Sequence, residues 1–134
     1  MNIESIALLT DADLTPYRAI KNIRNFLGPR KTIGIVGISG LGYYAVQYAK
    51  ILGQSADVIA SDRKDKKIDL AKEIGADFTI NNSVDFSKVK DEVSTITKDN
   101  GIDVIIDCVG AENTVHDSIR LLNKGGTLVV VGLF

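Results

Sequence analysis

Apolar residues gather in five short runs along the chain, at 32–36 (TIGIV), 56–61 (ADVIAS), 77–81 (DFTIN), 102–108 (IDVIIDC) and 127–131 (TLVVV). Most are β-branched and uninterrupted rather than alternating with polar residues, the pattern of strands covered on both faces and hence of a parallel sheet. Between them the spacing becomes helical. Residues 41–52 carry Leu41, Ala45, Tyr48, Ala49 and Leu52, and residues 66–74 carry Ile68, Leu70, Ala71 and Ile74. Residues 84–96 carry Phe86, Val89, Val93 and Ile96, and residues 115–122 carry Val115, Ile119 and Leu122. Gly53, Gly75 and Gly125 are placed to end helices. Ahead of all this, residues 14–27 read as one more helix, with Thr15 as a cap, Pro16 at its first position and Gly28-Pro29 as its stop. Strand and helix alternate, which predicts βαβ units with right-handed crossovers in a doubly wound α/β domain, helices on both faces.

The stretch 34–42 (GIVGISGLG) places four glycines and a serine at the end of the first predicted strand and the start of its helix. Gly37-Ile38-Ser39-Gly40-Leu41-Gly42 is close to the dinucleotide pattern G-x-G-x-x-G, with Ser39 at the middle glycine. Gly37 would allow the tight turn, small residues at Ser39 and Gly40 would let backbone N–H groups approach a diphosphate, and Gly42 would let helix and strand pack closely. A tight strand-to-helix turn with no ligand uses the same residues. Asp62 adds weight: it ends the second run, 25 residues after Gly37, near the spacing of the acid that grips an adenosine ribose. Its charge would repel a 2′-phosphate, which favours NAD over NADP. Arg63, Lys64, Lys66 and Lys67 follow directly and pull the other way, either as phosphate partners or as a solvated first helical turn.

Composition narrows the field only slightly. The chain has 134 residues, 45% of them hydrophobic and 25% charged, which is ordinary for one globular domain. A net charge of −1 implies no general attraction to nucleic acid or to a membrane surface. No apolar stretch approaches the roughly 20 residues that span a bilayer, and the first residues lack the pattern of a signal peptide. The single cysteine, Cys108, rules out an internal disulfide and suits a cytoplasmic setting.

Residues 9–19 (LTDADLTPYRA), 34–42, 44–52 (YAVQYAKIL), Asp62, 71–77 (AKEIGAD), 102–110 and 125–134 (GGTLVVVGLF) together resemble the coenzyme domain of the zinc-containing medium-chain alcohol dehydrogenases. The resemblance runs from about Ile6 to Phe134. It implies a Rossmann-type sheet in the order 3-2-1-4-5-6, of which this chain would supply five strands, 3-2-1-4-5. It implies that Gly37, Ser39, Gly40 and Leu41 meet the diphosphate and that Asp62, with Arg63 and Lys67 close by, holds the adenosine ribose. Thr15 would face the nicotinamide, Cys108, Val109 and Gly110 would line the riboses, and the backbone of Val131 and Leu133 would hold the carboxamide. Asp11 matches the position of the third catalytic zinc ligand, whose cysteine and histidine companions belong to a preceding catalytic domain in the family. Neither Cys108 nor His116 matches those two.

On this basis the chain is expected to be a single NAD(P)-binding domain over residues 1–134, with a leading helical segment at 1–30, an excised or truncated piece that binds NAD(H) and turns over little alone. The run 127–134 carries no charge and no proline, as an interior strand would, so its open edge could pair with a second copy. A stand-alone nucleotide sensor is the main alternative; a methyl transferase is less suited, because Ile35 and Val36 rather than an acid precede Gly37.

Overall fold

The computed structural model describes residues 3–8 and 16–131. In chain order the elements are β1 (Ile3–Leu8), α1 (Pro16–Ile23), a 3₁₀ turn (Arg24–Phe26), β2 (Thr32–Val36), α2 (Gly40–Leu52), β3 (Asp57–Asp62), α3 (Asp65–Glu73), β4 (Phe78–Asn81), α4 (Phe86–Thr97), β5 (Ile102–Asp107), α5 (Glu112–Leu121) and β6 (Leu122–Val130). The strands form one parallel sheet in the order β1-β6-β5-β2-β3-β4. Its last five are the order 3-2-1-4-5 expected for a Rossmann-type sheet.

The uninterrupted apolar runs are explained by alternation across two covered faces. Ile33 and Ile35 of β2, Val58 and Ala60 of β3 and Val104 and Ile106 of β5 pack with Ile20, Ala45, Val46 and Ala49 on the α1–α2–α3 side. Ile59, Ile80, Ile105, Leu128 and Val130 point the other way and pack with Val89 and Val93 of α4. Register fixes the layers: Ile33 and Ile35 lie opposite Val104 and Ile106, and Ile105 lies opposite Leu128. A one-residue slip would exchange the two faces of every strand.

The N-terminal segment departs from expectation. Residues 3–8, expected within a leading helical segment, form a strand that pairs with β6, with Ile6 opposite Leu128 and Leu8 opposite Val130. The sheet therefore has six strands, and the edge at 127–130 that was expected to be open is covered by the chain itself. An uncharged interior-type strand leaves a row of unpaired amides unless a neighbour takes it, and here β1 does so. Pairing of two copies through that edge thus loses its basis.

Two helix ends also differ. The helix expected over 14–27 is α1, closed by the 3₁₀ turn in which the Leu27 N–H donates to the Arg24 carbonyl at 3.0 Å. Gly125, expected to stop a helix, has φ +81° inside β6, where the pairing with β5 shifts register; α5 ends earlier, at Leu121, and runs straight into the strand.

Candidate functional site

The C-terminal ends of β2, β3, β4 and β5 meet at one edge of the sheet. The chain winds from β2 outward to β4, then crosses back to β5 on the other side of β2. The order of strands therefore reverses between β2 and β5, the place where open α/β sheets form their crevice.

The glycine turn sits there, and its glycines have different duties. Gly37 has φ +89°, and a Cβ on it would lie 2.6 Å from Val109 Cγ2. A Cβ on Gly42 would collide with the Gly37 carbonyl oxygen, so α2 packs against the turn only because residue 42 has no side chain. Both needs are internal to the fold. Gly40 is different: a Cβ there would meet no protein atom within 4 Å, so the fold alone does not require glycine.

Ser39 takes the N-cap position in extended backbone, yet its side chain makes no capping hydrogen bond. The first helical hydrogen bond runs from the Tyr43 N–H to the Ser39 carbonyl at 2.8 Å. The amides before it lack partners inside the helix and concentrate the positive end of its dipole at the crevice. Ser39, Gly40 and Leu41 are exposed.

Two carboxylates hold the turn in place. Asp62, at the end of β3, accepts from the Ile38 N–H at 2.8 Å through one oxygen and from the Lys64 N–H at 3.0 Å through the other. The Gly37 N–H donates to the Ser61 carbonyl at 2.9 Å. On the opposite flank, Asp107 ends β5 with 0% of its surface exposed. Its Oδ1 accepts from the Val109 and Gly110 N–H groups at 2.9 and 3.0 Å, and its Oδ2 from the Thr114 hydroxyl at 2.8 Å. It thereby shapes the loop whose Val109 side chain presses on Gly37.

The remaining expected residues divide by position. Arg63 and Val109 line a groove of 580 Å³ that opens beside Asp62 and runs under the sheet between α4 and α5. Lys67 is half-buried in α3 and lies outside that lining. Cys108 faces away, into the core on the α1–α2–α3 side, and burial with the adjacent Asp107 charge pushes its thiol up to about 12. Only its backbone is at the crevice, its N–H donating to the Val36 carbonyl at 2.9 Å. The Val131 N–H donates to the Asp107 carbonyl at 3.0 Å. His116 is exposed on α5. Asp11, Thr15 and Leu133 lie outside the described residues. Among the described residues, no group of three or more His, Cys, Asp or Glu could hold a metal ion, and no helix is long and apolar enough to cross a membrane.

Asp107 and Thr114 were not singled out from the sequence. An acid closing an apolar run, as Asp107 does in IDVIID, is a usable signal, because a buried carboxylate must find donors.

A doubly wound parallel sheet with a glycine turn at its crossover point defines this chain as a Rossmann-type domain. The sequence pattern of the zinc-binding dehydrogenases matches residues 40–134, and the chain belongs to that family. It is 37% identical over 135 residues to an NAD-dependent alcohol dehydrogenase of Saccharolobus solfataricus, covering 100% of this chain and 38% of that relative. The alcohol dehydrogenase of Aeropyrum pernix superposes with a TM-score of 0.84 at 38% identity, over 92% of this chain and 35% of that one. A mycobacterial protein solved with NADPH superposes with a TM-score of 0.74 at 27% identity, over 88% of this chain and 36% of that one.

Proposed function

We propose that this chain is the NAD(H)-binding domain of a zinc-dependent alcohol dehydrogenase. The supporting observation is the paired arrangement at the turn: amides of residues 39–42 without helical partners, and Asp62 fixed to the same turn through the Ile38 N–H. The diphosphate sits on those amides. Each Asp62 oxygen accepts one backbone N–H, and a carboxylate oxygen has a second lone pair for a ribose hydroxyl. A 2′-phosphate in the same place would face the carboxylate charge, so NAD(H) is the preferred coenzyme despite Arg63 and Lys64 at the rim. The nicotinamide half runs past Val109 and Gly110 toward Val131, and the resemblance assigns Thr15 and Leu133 to the same half.

Hydride moves between the alcohol carbon and the nicotinamide ring, and zinc in such an enzyme polarises the oxygen. The residues placed here position the coenzyme. Asp11 is assigned to the zinc by resemblance only, so the chain alone should bind coenzyme with little turnover, in the cytoplasm.

Parallel titrations with NADH and NADPH, followed by nicotinamide fluorescence, test the assignment. Tighter binding of NADH by about tenfold or more is expected, since one unfavourable charge contact is worth about 1.4 kcal/mol or more. Failure to bind either coenzyme refutes the site. Tighter binding of NADPH refutes the role given to Asp62.

A further inference from the structure

Asp107 is fully buried at the end of β5, yet among the described residues it makes no ion pair. The pairs there join Lys50 to Asp77, and His116 and Arg120 to Asp117. Three neutral donors hold Asp107 instead: the Val109 and Gly110 N–H groups on Oδ1 and the Thr114 hydroxyl on Oδ2. A buried charge ordinarily has a partner of opposite sign, because leaving water is costly.

The bonding alone does not call for a charge. The Thr114 hydroxyl also lies 2.9 Å from the Ala111 carbonyl. Its proton can turn to that carbonyl while its oxygen accepts from an amide nitrogen at position 107. The Val109 and Gly110 N–H groups would keep their acceptor. An asparagine of the same shape would thus satisfy the loop at a lower desolvation cost.

The position gives the charge a use. The Asp107 carbonyl accepts from the Val131 N–H at 3.0 Å, and its carboxylate shapes the loop at 109–110. These are the residues along which the nicotinamide half is proposed to run. The nicotinamide ring is positive when oxidised and neutral when reduced. The carboxylate's field is felt in the fold itself, since burial first and this charge second push the Cys108 thiol up. Across two strand spacings, on the order of 10 Å, a unit charge at an effective dielectric near 20 shifts an equilibrium by about tenfold.

We infer that Asp107 is the counter-charge of the oxidised nicotinamide, biasing the site toward NAD⁺ over NADH through its field and without touching the coenzyme. The inference rests on the proposed coenzyme site and adds selectivity for redox state to it.

The test compares NAD⁺ with benzamide adenine dinucleotide, a flat analogue whose ring has the same shape and no charge. Calorimetric titrations use the full chain, Asp107→Asn and Thr114→Val, with melting temperature measured alongside. The unaltered chain should bind NAD⁺ about tenfold more tightly than the analogue. That ratio should hold from low to high salt, because a buried charge is screened far less than an exposed one. Asp107→Asn should bring the two within about threefold of each other. Thr114→Val keeps the charge and loosens the loop, so it should weaken both ligands alike and leave the ratio in place. Equal affinities in the unaltered chain, a ratio that collapses in salt, or an unchanged ratio in Asp107→Asn overturn the inference while leaving NAD⁺ binding intact. If Asp107→Asn does not fold, the salt series on the unaltered chain and the ratio in Thr114→Val decide. No binding of either dinucleotide overturns the coenzyme site and this inference with it.

Discussion

Gly40 opens α2 without a left-handed φ, and nothing in the protein lies within 4 Å of where its Cβ would be. Alanine therefore fits the fold, and it restricts the unfolded chain more than glycine does. The expected gain is about 0.5–1 kcal/mol, a rise of roughly 2–4 °C in melting temperature for a domain of this size. Coenzyme binding should move in the opposite direction. On the proposed placement, a methyl group at residue 40 stands where a diphosphate oxygen comes within hydrogen-bond distance of the helix amides. Loss of one or two charge-assisted bonds, each about 1.5–3 kcal/mol, weakens binding by about tenfold to a hundredfold or more. Thermal melting and NADH fluorescence titration on Gly40→Ala read the two effects separately. Gly37→Ala is the control, because its left-handed φ and the 2.6 Å approach to Val109 make alanine destabilising whatever binds. Unchanged NADH affinity in a stable Gly40→Ala protein would refute the placement of the diphosphate on this turn.

Asp62→Ser should narrow or invert the preference between NADH and NADPH, measured by paired titrations, because the charge facing the 2′-position is gone. It should also lower stability by about 1–2 kcal/mol, since the Ile38 and Lys64 amides lose a charged acceptor. Asp107→Ala should cost about 2–4 kcal/mol in denaturant unfolding, leaving the Val109 and Gly110 N–H groups and the Thr114 hydroxyl without their partner. Cys108 should resist thiol reagents at pH 8 until urea unfolds the chain. With its folded thiol at about 12 against an ordinary 9.0, its contribution to stability is complete below pH 9 and is lost as pH rises from 9 toward 12, where only the unfolded chain ionises. Cys108→Ala should flatten that part of the stability profile.

Periodicity made the five-strand core legible because each strand is buried on both faces, and burial leaves little room for polar residues. The turn was legible for a different reason: Gly37, Gly40 and Gly42 have no local propensity to explain them, so a geometric or ligand demand had to. What escaped was set by partners distant in sequence. The segment 3–8 is short and mixes Glu4 and Ser5 with apolar residues, so its strand is defined by β6 rather than by its own pattern. Asp107 matters through the atoms it bonds, which spacing does not reveal. The groove between α4 and α5 arises from how two helices sit on the sheet, and no short motif encodes that.

The two carboxylates at the strand ends suggest why the turn can serve as a binding surface. Without Asp62 and Asp107 the loops after β2 and β5 would have to be ordered by the ligand, and part of the binding energy would go into fixing them. Here the Ile38 amide is tied to β3, and the Val109 and Gly110 amides are tied to β5. The amides at the head of α2 are left over, held by neighbours on both sides and aimed at one place. Charge placed there would be stabilised by dipoles that need no reorganisation. Asp62 and Asp107 thus fix the loops on either side of the α2 N-terminus, because each carboxylate accepts backbone N–H groups of the loops beside it. Neutralising Asp107 should therefore weaken binding through lost order in the loop. Neutralising Asp62 should act on order and coenzyme choice together, which makes Asp62 the more revealing of the two positions.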